Sequence, residues 1–204
     1  MAIQPTNVGQ RLINITKIDF DDVSDETVID THYWQSKGVR FESITTNPQK
    51  QWSAYARKNT NAVTHPNIVS VNKSHFGEFD ASDGGIQATF HKPQRFVGIT
   101  ARATVIDEIV GQLNWPTARP FLEFWNYKGG FMPVTQYYPF VFGDLNWGSA
   151  RQLSFVAPSA EIGKVVFSCQ ISSPHRVLGL FDHLVFSEEL PYSPPIPIVL
   201  GGGS

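Results

Sequence analysis

Six of the chain's 18 acidic residues fall between positions 19 and 30: Asp19, Asp21, Asp22, Asp25, Glu26 and Asp30, with no Lys or Arg among them. Carboxylates packed this closely repel one another. They persist either because water screens them or because a cation sits among them. Calcium takes roughly six to eight hard oxygens, which a loop leaving a strand can supply from carboxylates and backbone carbonyls. The spacing is not an EF-hand, since the segment has no Asp-x-Asp-x-Asp-Gly run. A cation-binding loop and a solvated acidic loop both remain open on this pattern.

Aromatic residues are the second chemical signal. Phe, Tyr and Trp number 15, 6 and 5, or 13% of the chain. Trp34, Trp52, Trp115 and Trp147 lie in polar or Pro/Gly-rich segments where loops are expected, whereas Trp125 sits in the strand-like run Phe121–Tyr127. An exposed ring can stack on the apolar face of a sugar while Asn, Gln, Asp and Arg read its hydroxyls. A buried one caps the end of a fold and bonds its N–H inside. Alternate residues of a strand share a face. If Leu122 and Phe124 face the core, Glu123, Trp125 and Tyr127 face outward; the reverse would bury the Glu123 carboxylate, at a cost. The expected ligand-facing group is therefore Glu123, Trp125 and Tyr127, joined by Tyr137 and by Asn146 and Trp147.

Catalytic patterns are weak. The six histidines form no His-x-His or His-Glu-x-x-His pair, and neither a Gly-x-Ser-x-Gly elbow nor a phosphate loop occurs. Glu123, Asp144, Glu108 and Asp107 could pair as glycosidase carboxyls, but sequence does not fix the roughly 5–9 Å separation such chemistry needs. Cys169 is the sole cysteine, so no intramolecular disulfide forms. It alternates with Phe167 and Ile171 in a strand-like run and is expected to be a buried structural thiol rather than a nucleophile. No catalytic residue is expected.

The elements that position these groups are strands. β-Branched residues outnumber Leu, Ala and Met by about two to one, beside 16 Gly and 14 Pro. Strand-like runs are Ile13–Phe20, Gly38–Thr45, Asn67–Val71, Gly85–His91, Arg95–Ile106, Phe121–Tyr127, Val134–Phe142, Arg151–Ala157, Lys164–Ile171 and Val177–Ser187. Lys128-Gly129-Gly130-Phe131 predicts a hairpin turn and His91-Lys92-Pro93-Gln94 a second turn. Asp107–Leu113 predicts a short helix at most. The reading is an all-β chain: an N-terminal extension over 1–12, one sandwich over 13–190, and a Pro-rich tail over 191–204 ending in a Gly-Gly-Gly-Ser linker. A net charge of −2 without a basic run speaks against a nucleic-acid partner. Strand-length apolar runs predict no membrane span. The first residues do not form a secretory signal, so the protein is intracellular or its signal lies outside this sequence.

The order of motifs resembles a family of bacterial extracellular jelly-roll domains related to carbohydrate-binding modules. The pieces are Phe20-Asp21-Asp22, Tyr33, Gly38-Val39-Arg40-Phe41, Gly85–Phe90 with Phe96–Ile99, Phe121–Gly130 and Phe181-Asp182-His183-Leu184-Val185-Phe186. Together they span about residues 13–187. His183 stands where the family more often has Asp or Asn, and 46–66 and 107–119 read as insertions. The resemblance implies a jelly-roll β-sandwich of two antiparallel sheets. It also implies neighbouring first and last strands, with Asp21 or Asp22 and Asp182 sharing a structural Ca2+. The expected function is non-catalytic binding of a polysaccharide or glycan outside the cell. The alternative is an interaction or assembly protein with a protein partner, such as a viral or phage subunit or a toxin component. A glycoside-active enzyme is the third.

Overall fold

Burial on alternate residues sets the architecture. A computed structural model of the chain describes residues 14–44, 53–63, 66–71, 79–80, 84–105, 119–138, 149–170 and 177–189. The elements run β1 (Thr16–Ile18), β2 (Thr27–Val28), α1 (Trp34–Lys37), β3 (Val39–Ile44), β4 (Tyr55–Lys58), β5 (Asn67–Ser70) and β6 (Phe79–Asp80). They continue as β7 (Gly85–Gln94), β8 (Phe96–Val105), β9 (Arg119–Asn126), β10 (Phe131–Tyr137), β11 (Arg151–Val156), β12 (Ile162–Gln170) and β13 (Val177–Ser187). One sheet has the order β11-β8-β13-β5-β4-β2, with β1 and β6 also on β13; the other runs β10-β9-β12-β7-β3. Every pairing is antiparallel. The chain is a jelly-roll β-sandwich, and its first and last strands are neighbours, Thr16 opposite Phe186 and Ile18 opposite Leu184.

The core lies between the sheets. Val39, Phe41, Ile86, Ala88, Leu122, Phe124, Val165 and Phe167 enter it from the five-stranded sheet, and Val97, Ile99, Ala101, Phe181 and Leu184 from the other, all fully buried. Rings bridge the layers: Phe167 meets Phe181 at 5.1 Å and Phe90 meets Phe186 at 4.9 Å. Cys169 is a buried free thiol, as its alternation predicts. Facing it is Gly179, where an added Cβ would overlap the Cys169 sulfur. Among the described residues no helix is long and apolar enough to cross a membrane.

All ten expected strands form, with shifted ends. His91–Gln94 is not a turn, because β7 continues to Gln94. Its ladder to β12 is irregular there: Thr89 pairs with Lys164 and Gln94 with Ile162, leaving four residues of β7 opposite Gly163 alone. Pro93 thus falls where the ladder asks for no N–H donor. The reversal comes at Arg95, whose N–H donates to the Ser187 carbonyl at 2.8 Å. The strands β2, β4 and β6 and helix α1 span two to four residues each, too few to show a period. Part of 46–66, read as an insertion, is β4, a member of the larger sheet. His183 has φ of 56° at the β13 bulge, a left-handed position that Asn and Asp adopt more readily than most residues. The expected helix at Asp107–Leu113, the insertion at 107–119 in all but its last residue, and the two terminal segments lie outside the described residues.

The turn leaving β1 is closed from inside by Asn67, which is 1% exposed. Its backbone N–H donates to Asp21 Oδ1 at 2.8 Å, and its Nδ2 donates to the carbonyls of Phe20 and Val23 at 2.9 and 2.7 Å. These bonds hold Phe20 at φ of 62°, unfavourable for an aromatic residue, while its ring packs edge-on against Tyr33 and Phe41. Asn67→Ala removes both side-chain bonds and is expected to cost about 2–4 kcal/mol in chemical denaturation. A loss below about 0.5 kcal/mol would show that water satisfies both carbonyls instead.

Candidate functional site

With Leu122, Phe124, Val165 and Phe167 committed to the core, the residues between them must face out. Register then lays the outer face of the five-stranded sheet in rows. One row runs Phe131, Trp125, Lys164, Thr89, Arg40 across β10, β9, β12, β7 and β3. The next runs Thr135, Glu123, Val166, Gln87, Glu42, and a third runs Tyr137, Phe121, Ser168, Gly85, Ile44. Glu123, Trp125 and Tyr137 are thus brought onto one outer face, and Tyr127 follows at its end. Asn146 and Trp147 lie outside the described residues.

Trp125 is not the open platform that the alternation alone suggests. It is half-buried, with Phe131 edge-on at 5.3 Å and the Lys164 ammonium 4.5 Å from its ring centroid. Its buried indole N–H has no hydrogen-bond partner among the described residues. The open rings are Tyr127, Phe131 and Tyr137, at 56%, 49% and 38% exposure. Glu123 is half-buried between these rows, and burial pushes its carboxyl above the usual range.

Tyr127 is the most firmly placed of the open rings. It enters the β9–β10 turn, which Asn126 shapes by accepting at Oδ1 the N–H groups of Lys128 and Gly130 at 3.0 and 2.9 Å. The Tyr127 N–H donates to the Glu161 carbonyl at 2.7 Å, and its hydroxyl donates to the His91 carbonyl at 3.1 Å. The side chain therefore crosses β12 to reach β7. At Gly163 of β12 an added Cβ would overlap Tyr127 Cα and sit 2.9 Å from its nitrogen, so only glycine lets the two backbones approach this closely.

Opposite Tyr127 stands Trp34 of α1, tilted 41° against the His91 ring at 5.0 Å. The helix that carries it closes at Gly38, φ 72°, whose N–H donates to the Trp34 carbonyl. Between Trp34 and Tyr127 runs a groove of about 510 Å3, floored by Thr89 and Gly163 and flanked by Arg40 and Lys164. Four of its members went unread in the sequence. Trp34 showed only as a loop aromatic, Arg40 only as the variable position of Gly38-Val39-Arg40-Phe41, His91 only as part of an expected turn, and Lys164 only as the start of a strand. Alternation was the available signal, since Arg40 separates buried Val39 from Phe41 and Lys164 precedes buried Val165.

The acidic segment is organised by donors of the chain itself. Asp21 accepts the Asn67 N–H, Asp25 the Lys58 N–H at 2.8 Å, and Asp30 the Ala54 N–H at 2.7 Å. Arg57 pairs with Asp25 and Glu26 at 3.4 and 3.2 Å, and Lys17 with Asp19 at 3.6 Å. Asp22 accepts the Tyr33 hydroxyl proton, and burial first, then this bond, holds that phenol well above its ordinary range. Asp182 is 1% exposed in β13 opposite Thr100. Among the described residues no three His, Cys, Asp or Glu side chains are grouped to hold a metal. The neighbouring strands expected to bring Asp21 or Asp22 near Asp182 are present.

No protein-family model and no curated protein matches the chain. Solved structures similar to it include a family 16 carbohydrate-binding module, at 13% identity and TM-score 0.39 over 67% of this chain and 88% of that one. Others are the K1 and K2 cleaved adhesin domains of Lys-gingipain, K1 from Porphyromonas gingivalis W83. They show 10% and 12% identity and TM-scores of 0.47 and 0.45, covering 86% and 85% of this chain and 99% of each domain.

Because Glu123 holds its proton more tightly when folded, its ionisation opposes folding. That penalty is absent below the ordinary Glu range, roughly pH 4, and grows as pH rises through it toward the folded value. Glu123→Gln is expected to raise the melting temperature at pH 7 and leave it unchanged at pH 3; equal effects at both would refute the assignment. Melts in millimolar calcium and in chelator test the expected ion shared by Asp21 or Asp22 and Asp182: a rise with calcium that Asp182→Asn removes would support it, and superimposed curves would refute it.

Proposed function

We propose that the outer face of the five-stranded sheet binds glycan, in the groove between Trp34 and Tyr127, and that it does so without catalysis. The observation that carries this reading is Tyr127. An open aromatic ring is fixed by its own hydroxyl bond, its backbone is seated against Gly163, and it lines a space of sugar size together with a second ring, Trp34. A ring already held in place loses little rotamer freedom when a ligand stacks on it, so more of the contact energy appears as affinity. Polar groups around it, Thr89, Arg40 and Asn126, can read hydroxyls.

Of the carboxyls that could pair with Glu123 for hydrolysis, Asp107, Glu108 and Asp144 lie outside the described residues, and Glu42 of its own row is too far away. Glu123 and Glu42 share a row but stand three strands apart, ~14 Å at ordinary strand spacing. That exceeds the roughly 5–9 Å of paired glycosidase carboxyls. Polysaccharide as ligand would put the protein's working site outside the cell or on its surface.

Phe131 and Tyr137 favour a second reading. They are open rings on β10, an end strand of its sheet, and could form a contact with a protein partner. Pro133 within that strand lacks an N–H, which weakens it as a template for strand addition.

A glycan array is expected to give binding that Tyr127→Ala lowers at least about tenfold with little change in melting temperature, the ring being exposed. Trp125→Ala is expected to lower stability as well, because Phe131 and Lys164 pack on that ring. Silence across the array, with a mass above 22.8 kDa that grows with concentration, would instead establish the assembly reading.

A further inference from the structure

Resting on that glycan reading, we infer that the groove takes an acidic sugar, one bearing a carboxylate or a sulfate. The chain as a whole carries −2, yet every charged side chain lining this groove is basic: Arg40 and Lys164. The imidazole there, His91, is stacked on Trp34. Lys164, Thr89 and Arg40 occupy one row on three successive strands, so the two basic stems rise about 10 Å apart with a hydroxyl between them. That span matches one pyranose with an anionic substituent.

Both cations are free to engage such a group. The Lys164 ammonium rests on the Trp125 ring and has no carboxylate partner among the described residues. Arg40 pairs at 3.1 Å with Glu42, which also accepts the Gln87 amide at 2.8 Å. That pair is about half exposed on both sides, so water screens it and a bound anion can share the guanidinium, whose remaining N–H donors are unspent. Glu42 and Glu123 both sit one row away and outside the groove lining. Trp34 and Tyr127 wall the site with low-dielectric rings, which strengthens the attraction between an anion and the two bases. A stacked sugar would therefore place its acidic substituent between Lys164 and Arg40.

The test measures binding of oligogalacturonate, its carboxyl-reduced neutral counterpart, dextran sulfate, dextran and a single-stranded DNA. Wild type is compared with Arg40→Gln, Lys164→Gln and Lys164→Arg, each checked by thermal melt. The expected result is at least tenfold tighter binding of oligogalacturonate or of dextran sulfate than of the matched neutral glycan. Which of the two binds tells carboxylate from sulfate. The preference for the acidic glycan over its neutral counterpart should shrink as salt rises, disappear in Arg40→Gln and Lys164→Gln, and survive in Lys164→Arg. Equal binding of acidic and neutral glycans overturns the acidic-sugar inference and leaves the glycan reading standing. A preference that persists in both Gln variants places the anion elsewhere and overturns it too. Binding of DNA as tight as that of the acidic glycans reduces the groove to a general polyanion surface and overturns it as well. No binding of any glycan overturns the reading beneath it.

Discussion

Two adjacent strands, β9 and β12, have no freedom in which way they face, and the rest of the candidate site depends on that. Leu122 and Phe124 on one, and Val165 and Phe167 on the other, are fully buried between the sheets. Slipping both strands by a single residue would carry these four side chains to water and bring Glu123, Trp125 and Lys164 into the core. The hydrophobic penalty for such a slip is several residues' worth of transfer energy, each about 1.5–3 kcal/mol. Binding residues on the opposite face inherit this precision without contributing to it. Polar and aromatic side chains can thus vary there at little cost to the fold.

Charge is handled differently in the turn after β1 and in the groove. In the turn after β1, carboxylates are gathered by backbone N–H groups and by Arg57, so repulsion is offset by short hydrogen bonds within the chain. In the groove, basic groups are held apart by strand spacing, Lys164 resting on the Trp125 ring and Arg40 in a half-exposed pair with Glu42. One arrangement consumes its charges in holding the fold, whereas the other leaves them available. A cluster of acids in a sequence therefore says little about metal until its donors are counted.

Much of the sandwich was legible because its long strands bury every second residue. The order of ten strands, the Gly129 hairpin, the buried thiol and the outward face of Glu123, Trp125 and Tyr127 all follow from that period. What escaped has physical reasons. The elements β2, β4 and α1 are too short to show periodicity, and Pro93 announces a turn although it occupies a bulge. Trp125 was read as open because alternation gives direction but not company; Phe131 and Lys164 come from other strands. Arg40, His91 and Lys164 are separated by up to 124 positions and meet only through sheet register. Asn67, the group whose N–H Asp21 accepts, lies 46 residues away, so nothing local in the sequence marks that bond.

The close approach of Gly179 to Cys169 has a consequence for how this protein opens. The sulfur fills the space that a side chain on the facing strand would take, so the two sheets meet there without slack. A thiol reagent can reach that sulfur only when the layers part. Its labelling rate is then a clock for separation of the sandwich, set by opening free energy rather than by thiol chemistry.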